Sequence, residues 1–196
     1  MTVSPESPEG ADPHVCKRCI DRGPTCCRMK PGEEECCFPL SVIERDRILE
    51  AAGDKGAFEQ QVNTQPFVEH LKRLLPRDKE SIDQLFPPHG SHLRLATRAD
   101  GACTFLGPAG CTLPREARPH YCLIFPFWLA SDRLTAFSPP RCLAVEEGRN
   151  LLRMLDLFGM SEAEVRTLHG RIRLAWGLPP KEGMPLPEAR GRRKER

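Results

Sequence analysis

Aromatic side chains are scarce in this chain, with one tyrosine, two tryptophans and nine phenylalanines among 196 residues. The hydrophobic fraction is 39%. That is thin for a domain of this length, and a further staple besides core burial is expected. Long apolar runs are missing too. The longest, "CLIFPFWLA" at 122–130, contains a proline and is far short of the roughly 20 residues that span a bilayer. No membrane partner is expected. The opening "MTVSPESPEGADPH" lacks the basic and apolar regions of a secretory signal and reads as a disordered lead-in to a cytoplasmic protein.

Charge of one sign is also lacking. The net charge is +2, and the segment 181–196 carries six Lys/Arg against three Asp/Glu, leaving 23 basic and 24 acidic residues elsewhere. A near-neutral body gives no ground for a specific nucleic-acid partner, and the tail "EARGRRKER" reads as a solvated terminus. No Gly-x-Gly-x-x-Gly follows a strand, so a Rossmann-type methyltransferase finds no support. Paired carboxylates, a Ser/His/Asp set, a phosphate-cradling loop and internal repeats do not stand out, and no catalytic residue is assignable.

Cysteine, proline and glycine are what the chain has in quantity: ten, twenty and fifteen. Six cysteines fall in "HVCKRCIDRGPTCCRMKPGEEECC" at 14–37, and Cys103, Cys111, Cys122 and Cys142 follow at wide spacing. In a cytoplasmic protein thiols stay reduced, which places metal binding ahead of disulfides.

Local signals predict a helix at 42–52, opened by a Ser41/Glu44 capping box and stopped by Gly53. Apolar spacing predicts a second helix at 65–75, with Pro66 tolerated in its first turn, and a short third at 79–86. Asp100-Gly101 and "GPAG" mark turns between short strands, and "FPFWLASDRLTAF" reads as a hairpin turning near Ser131-Asp132. The helical period returns at 143–158, ended by Gly159, and at 161–176, opened by a Ser161/Glu164 capping box. The expected fold is α+β, a small irregular metal-stapled domain with short hairpins and four to five helices. It occupies 14–177, between disordered segments 1–13 and 178–196. The first six cysteines are placed in a loop, and none of the ten lies on the buried stripe of an expected helix, which argues against core packing as their role.

Cys16-x2-Cys19 is a common local metal-binding unit, because two intervening residues let both sulfurs converge. A redox Cys-x-x-Cys opens a helix after a strand, whereas "CKRCIDRGP" runs into glycine and proline. Cys26 and Cys27 are adjacent, and in an extended stretch neighbouring side chains point to opposite sides. Such a pair suits different irons of a cluster or two separate metals, unless one member is packing. The pattern is neither a zinc ribbon nor the bacterial ferredoxin run.

These cysteines, followed by "CTFLGPAGCTLPREARPHYCLIFPF", resemble the YkgJ-type cysteine-cluster proteins, described as a zinc- or iron-chelating domain. The family's Cys-x2-Cys-x2-Cys-Cys opening corresponds to Cys16, Cys19, Cys26 and Cys27. Its later elements correspond to Cys103, Gly110 with Cys111, Arg118-Pro119, Cys122 and Phe125-Pro126. Six residues rather than two separate Cys19 from Cys26. The resemblance spans about 16–142 and implies bound iron or zinc. Some relatives are iron–sulfur proteins, and flagellin lysine N-methylases are similar in this domain. Cys36, Cys37 and Cys142 lie outside the pattern; Cys36 and Cys142 are added to the candidate ligands.

Seven motif cysteines exceed the four of a structural zinc, and a cluster offers several irons, so a [4Fe–4S] centre is favoured, with zinc as the alternative. Arg118 is a candidate cofactor-binding residue whose guanidinium would offset thiolate charge, unless it only stabilises the turn before Pro119. His14 and His120 each lie two residues before a cysteine but are read as loop histidines. Three functions remain: a metal or cluster protein with a redox or metal-handling role, a zinc-stapled module for a protein partner, and a cluster-dependent enzyme resembling a lysine methylase.

Overall fold

A computed structural model describes residues 15–22, 25–30, 32–33, 37–53, 57–139 and 142–180. The element order is α1 (Val15–Arg22), α2 (Val42–Ala52), β1 (Phe58–Val62), α3 (Gln65–Leu74), α4 (Lys79–Leu85), β2 (Ser91–Leu95), β3 (Leu106–Gly107) and β4 (Gly110–Cys111). A 3-10 turn at Arg115–Ala117 leads to α5 (His120–Ile124), β5 (Phe127–Ala130), β6 (Arg133–Ala136), α6 (Leu143–Gly148), α7 (Leu151–Phe158) and α8 (Glu162–Ala175). The strands pair as three separate antiparallel ribbons, β1–β2, β3–β4 and β5–β6. This is the expected α+β class, with eight α-helices rather than four or five among the described residues. None of them is long and apolar enough to cross a membrane. The segments 1–13 and 181–196 lie outside the described residues.

Local chemistry explains the elements that match expectation. Both capping boxes form: Ser41 accepts from Glu44 N–H while Glu44 returns to Ser41, and Ser161 pairs with Glu164 in the same way. Gly53 and Gly159 take left-handed φ of 66° and 59° to stop α2 and α7. Ser131 and Asp132 both have positive φ, which matches the twist of a two-residue hairpin between β5 and β6.

Three differences stand out. The cysteine-rich start is not all loop, because 15–22 is helical. The helix expected at 143–158 is two helices: Arg149 turns left-handed (φ 61°) and Asn150 caps α7 by accepting from Arg153 N–H. β1, whose "FEQQV" carries little strand propensity, pairs with β2 in register from Phe58↔Leu95 to Val62↔Ser91.

The main core gathers Phe67, Val68 and Leu71 of α3, Ile82 of α4, Phe127 and Trp128 of β5, Met154 of α7, and Val165 and Ile172 of α8. Trp128 and Trp176 place their indole N–H groups on Leu74 and Pro39 carbonyls, so neither buried ring leaves a donor unpaired. The Arg173 guanidinium, 1% exposed, is held by Asp78 and by the Pro179 carbonyl. Removing one partner of such a buried pair costs about 3–5 kcal/mol. Leu178 is 2% exposed, so ordered packing runs past the expected boundary at 177.

Two satellite clusters lie outside this core. Leu40, Ile48, Ala57, Phe105 and Leu113 form one, with Cys103 and Cys111 packed against it. Val15, Leu143 and Ala144 form the other, with Cys19 and Cys142 packed against it. The apolar interior thus breaks up where the cysteines gather.

On β2 the His92 ring stacks on Phe67 at 3.9 Å. Asn63 spends its amide N–H on the Pro87 carbonyl, so His92 Nδ1–H donates to Asn63 Oδ1 at 2.8 Å. Nε2 is buried without a hydrogen-bond partner among the described residues. Burial, with the Arg94 charge beside it, lowers the imidazole to about 4. A depressed histidine pKa means the unfolded chain takes up the proton first. This part of the stability is whole above about 6.5 and falls as pH drops toward 4, by up to about 3 kcal/mol. Urea titrations of His92→Gln are expected to show a shallower loss of stability between pH 6.5 and 4.5 than wild type; equal slopes would remove His92 from the account.

Candidate metal centre

Five stretches of chain converge on one cavity of ≈ 160 Å³. The first is α1, where Cys16 and Cys19 are three residues apart and share a helix face. Val15 seats this helix on Leu143 and Ala144. Arg18 forks onto Glu147 with two 2.7 Å contacts, and Arg22 reaches Glu146 at 3.8 Å. Exposed pairs of this kind add little, so α1 is lightly held.

The second stretch is the turn at Thr25–Arg28. Its backbone is joined to the middle of the chain by a short antiparallel seam. Met29 N–H donates to the Gly101 carbonyl at 2.9 Å and Cys103 N–H to the Cys27 carbonyl at 2.8 Å, around an Arg28–Ala102 bridge. Cys26 and Cys27 sit in this turn rather than in an extended strand, and a hydrogen bond joins their sulfurs. The expectation that they point to opposite sides is corrected: the turn brings them together.

The third stretch supplies Cys103 and Cys111. Gly110, at φ 112°, lets β3 turn into β4, and Leu106 faces Cys111 across that ribbon. The fourth carries Cys122 on α5. Here Glu44 ties two helices together, since one carboxylate oxygen closes the α2 capping box and the other accepts from His120 N–H at 2.9 Å. Arg47 adds a bond to the Arg118 carbonyl at 2.9 Å. The fifth is Cys142, whose carbonyl starts α6 by accepting from Val145 and Glu146.

Cys16, Cys19, Cys26, Cys27, Cys103, Cys111, Cys122 and Cys142 all line the cavity, and so does Arg118. Of the candidate ligands only Cys36 is unplaced, because it lies outside the described residues. So does His14. His120 is not among the lining residues, but it opens helix α5 and is not the loop histidine expected. No disulfide joins the nine described cysteines. Cys37, left out of the ligand set, lies close enough to Cys103 and Tyr121 for its charge to act on both. The repeated Cys-Cys doublet was the one signal for it. Tyr121 also lines the cavity, stacked on Phe38 at 3.5 Å; nothing in its local sequence marked it.

Arg118 stabilises its turn and stands near the thiols. Its Nε donates to the Leu113 carbonyl at 3.0 Å and Nη2 to the Cys111 carbonyl at 3.4 Å, which fixes the turn. The same charge acts on Cys16, Cys27 and Cys111.

Burial pushes the Cys16 and Cys103 thiols up to about 11, and raises Cys111 and Cys122. Cys16 and Cys122 are nonetheless open to water. The apolar walls of the cavity withhold the hydration that a thiolate needs. Cys27 differs. The hydrogen bond from Cys26, then the Arg118 charge and the Thr25 hydroxyl, outweigh burial and bring it down to about 7.

The donor chemistry fits a thiophilic metal. No three Cys, His, Asp or Glu side chains among the described residues are arranged to hold a single ion. Four thiolates on one zinc at 2.3 Å stand only about 3.8 Å apart in a tetrahedron. Thiols spread around a cavity suit a cluster, where each thiolate meets a different iron. Comparison with known proteins gives no match: no family model, no curated protein and no solved structure is similar to the chain.

In metal-free protein at neutral pH the Cys26–Cys27 pair is expected to take up iodoacetamide first, with Cys16 and Cys103 lagging at least tenfold, because the thiolate is the nucleophile. Peptide mapping of brief labelling checks this order. Uniform labelling of all four would contradict the electrostatics of the turn.

Proposed function

We propose that this protein binds iron through its cysteine cavity, as a [4Fe–4S] cluster, and serves a redox or metal-handling role. One observation carries the reading: eight cysteines, from segments up to 126 residues apart in sequence, line a single cavity. Thiols used only as small core residues would have no reason to collect around one opening. The resemblance to YkgJ-type proteins belongs to the same proposal, as does a reducing, cytoplasmic setting in which the thiols stay available.

A bound cluster would supply one-electron chemistry. The chain's own part is to present the thiols, to offset their charge with Arg118, and to wall the site with Phe105, Leu113, Phe125 and Phe158. Low polarity and hydrogen bonding around the sulfurs are what tune such a centre.

Zinc is the second reading, with the protein then a metal-held module for a protein partner. What favours it is the light anchoring of α1, where Val15 is the one buried side chain and the ion pairs to Glu146 and Glu147 are exposed. A structural ion would supply the missing link.

Protein purified without oxygen is expected to contain iron and acid-labile sulfide in equal amounts, with a broad absorption band near ~400 nm that bleaches on reduction. Cys27→Ser and Cys122→Ser should lower the metal content, and His70→Gln should leave it unchanged. Zinc without sulfide would move the account to the second reading. Metal-free protein would end both.

A further inference from the structure

We propose that α1 is a cover over the cysteine cavity, latched to α6 by charge, and that its opening is the route by which metal ions and small thiol-reactive molecules reach the thiols beneath. The inference stands on how the cavity is built and does not depend on which metal the cavity takes.

Placement gives the first argument. Val15, Cys16, Cys19 and Ile20 of α1 all line the cavity. At Val15 the helix rests on Leu143 and Ala144 of α6. It also touches β4, where the Ile20 Cδ1 methyl lies 3.8 Å from the position a Cβ on Gly110 would take. The helix thus bridges from α6 to the β3–β4 ribbon, and lifting it uncovers the cavity from that side.

Attachment gives the second. The other walls are fastened through main chain: the 27–29 segment is bonded to 101–103, Thr112 N–H donates to the Phe105 carbonyl at 2.8 Å, and Glu44 holds His120 N–H. Leu143 and Ala144 of α6 are buried, and Gly148 of α6 packs against Met154. For α1 no backbone bond to another segment is present among the described residues, and Val15 is its one buried side chain. A helix of eight residues does not hold its shape alone in water. Undocking and unwinding are therefore one event, at the low-stability end of the openings found within one protein.

Charge gives the third. The α1 helix carries Lys17, Arg18 and Arg22 against Asp21, and α6 presents Glu146 and Glu147. Arg18 forks onto Glu147 at 2.7 Å, and Arg22 reaches Glu146 at 3.8 Å. Both pairs are open to solvent, so salt screens them as the Debye length falls from about 30 Å at 0.01 M to about 3 Å at 1 M. Backbone bonds and apolar contacts fasten the other walls, and these do not weaken in sodium chloride. The latch on α1 is the salt-sensitive part of the cavity.

The test is hydrogen exchange read by mass spectrometry on the metal-free, reduced full chain, at about 0.01 M and about 1 M sodium chloride. Peptides covering α1 are expected to exchange faster than those covering α6, and to speed up about three- to tenfold at high salt, as the loss of two exposed pairs gives. Glu146→Gln/Glu147→Gln should show the fast rate already at low salt and lose the salt dependence. Asp83→Asn, which breaks an exposed pair with Lys72 elsewhere, should leave α1 unchanged. Iodoacetamide labelling of Cys103 and Cys111 is expected to follow the same pattern. Exchange in α1 no faster than in α6, or indifferent to both salt and the double variant, overturns the latch. Constant labelling of Cys103 and Cys111 while α1 exchange accelerates overturns the route. The wild-type salt series decides even where the variant fails to fold, and neither failure touches the metal-binding reading, which metal content tests separately.

Discussion

The hydrogen bond from Cys103 N–H to the Cys27 carbonyl, 2.8 Å long, is the join on which the site depends. It belongs to a three-residue seam between the 27–29 and 101–103 segments, and 75 residues of chain lie between its two cysteines. The seam, with the Arg28–Asp100 ion pair beside it, ties the Cys26–Cys27 turn to the middle of the chain. With it, two sulfurs from the start of the chain stand beside two from its middle. The glycines at 101 and 110 have positive φ at the turns that flank this segment, so the seam and the β3–β4 ribbon are reached by sharp reversals that other residues resist.

Around the seam the fold compensates for a small core. Apolar side chains of α3, α4, β5, α7 and α8 make one continuous interior, worth about 1.5–3 kcal/mol for each large side chain fully buried. The N-terminal helix and the β3–β4 ribbon receive only small satellite clusters. The cavity lies between those satellites. Cysteine on such a boundary is apolar enough to pack when protonated and becomes a strong ligand when it loses its proton. Burial keeps most of these thiols protonated, and a bound metal reverses that preference by stabilising the thiolate directly.

Much of the fold was legible because its signals are local. Ser41/Glu44, Ser161/Glu164, Gly53 and Gly159 act within one helical turn and need no knowledge of tertiary contacts. β1 was not legible, since "FEQQV" becomes a strand only by pairing with Ser91–Leu95 about thirty residues later. The break at Gly148–Asn150 was readable in principle: a glycine, a left-handed arginine and an asparagine cap interrupt a pattern whose apolar period runs straight through. A Cβ on Gly148 would meet Met154 Cγ, so the two short helices approach closely there. For the site, the cysteine pattern named seven of the eight thiols that line the cavity, and Cys142 was added to them from outside the pattern. It could not show that Cys16 and Cys19 ride on a helix, that Cys26 and Cys27 turn toward each other, or that Glu44 braces α5 from α2. Those facts depend on contacts between segments distant in sequence.

The central claim is that these thiols are metal ligands, and X-ray absorption at the metal edge of the purified protein tests it most directly. The account predicts a first shell of sulfur alone, at about 2.3 Å if the metal is zinc, with metal–metal scattering in addition if it is an iron–sulfur cluster. A shell of nitrogen and oxygen at about 2.0–2.2 Å would contradict it, because histidine or carboxylate ligands would place the metal outside the cysteine cavity.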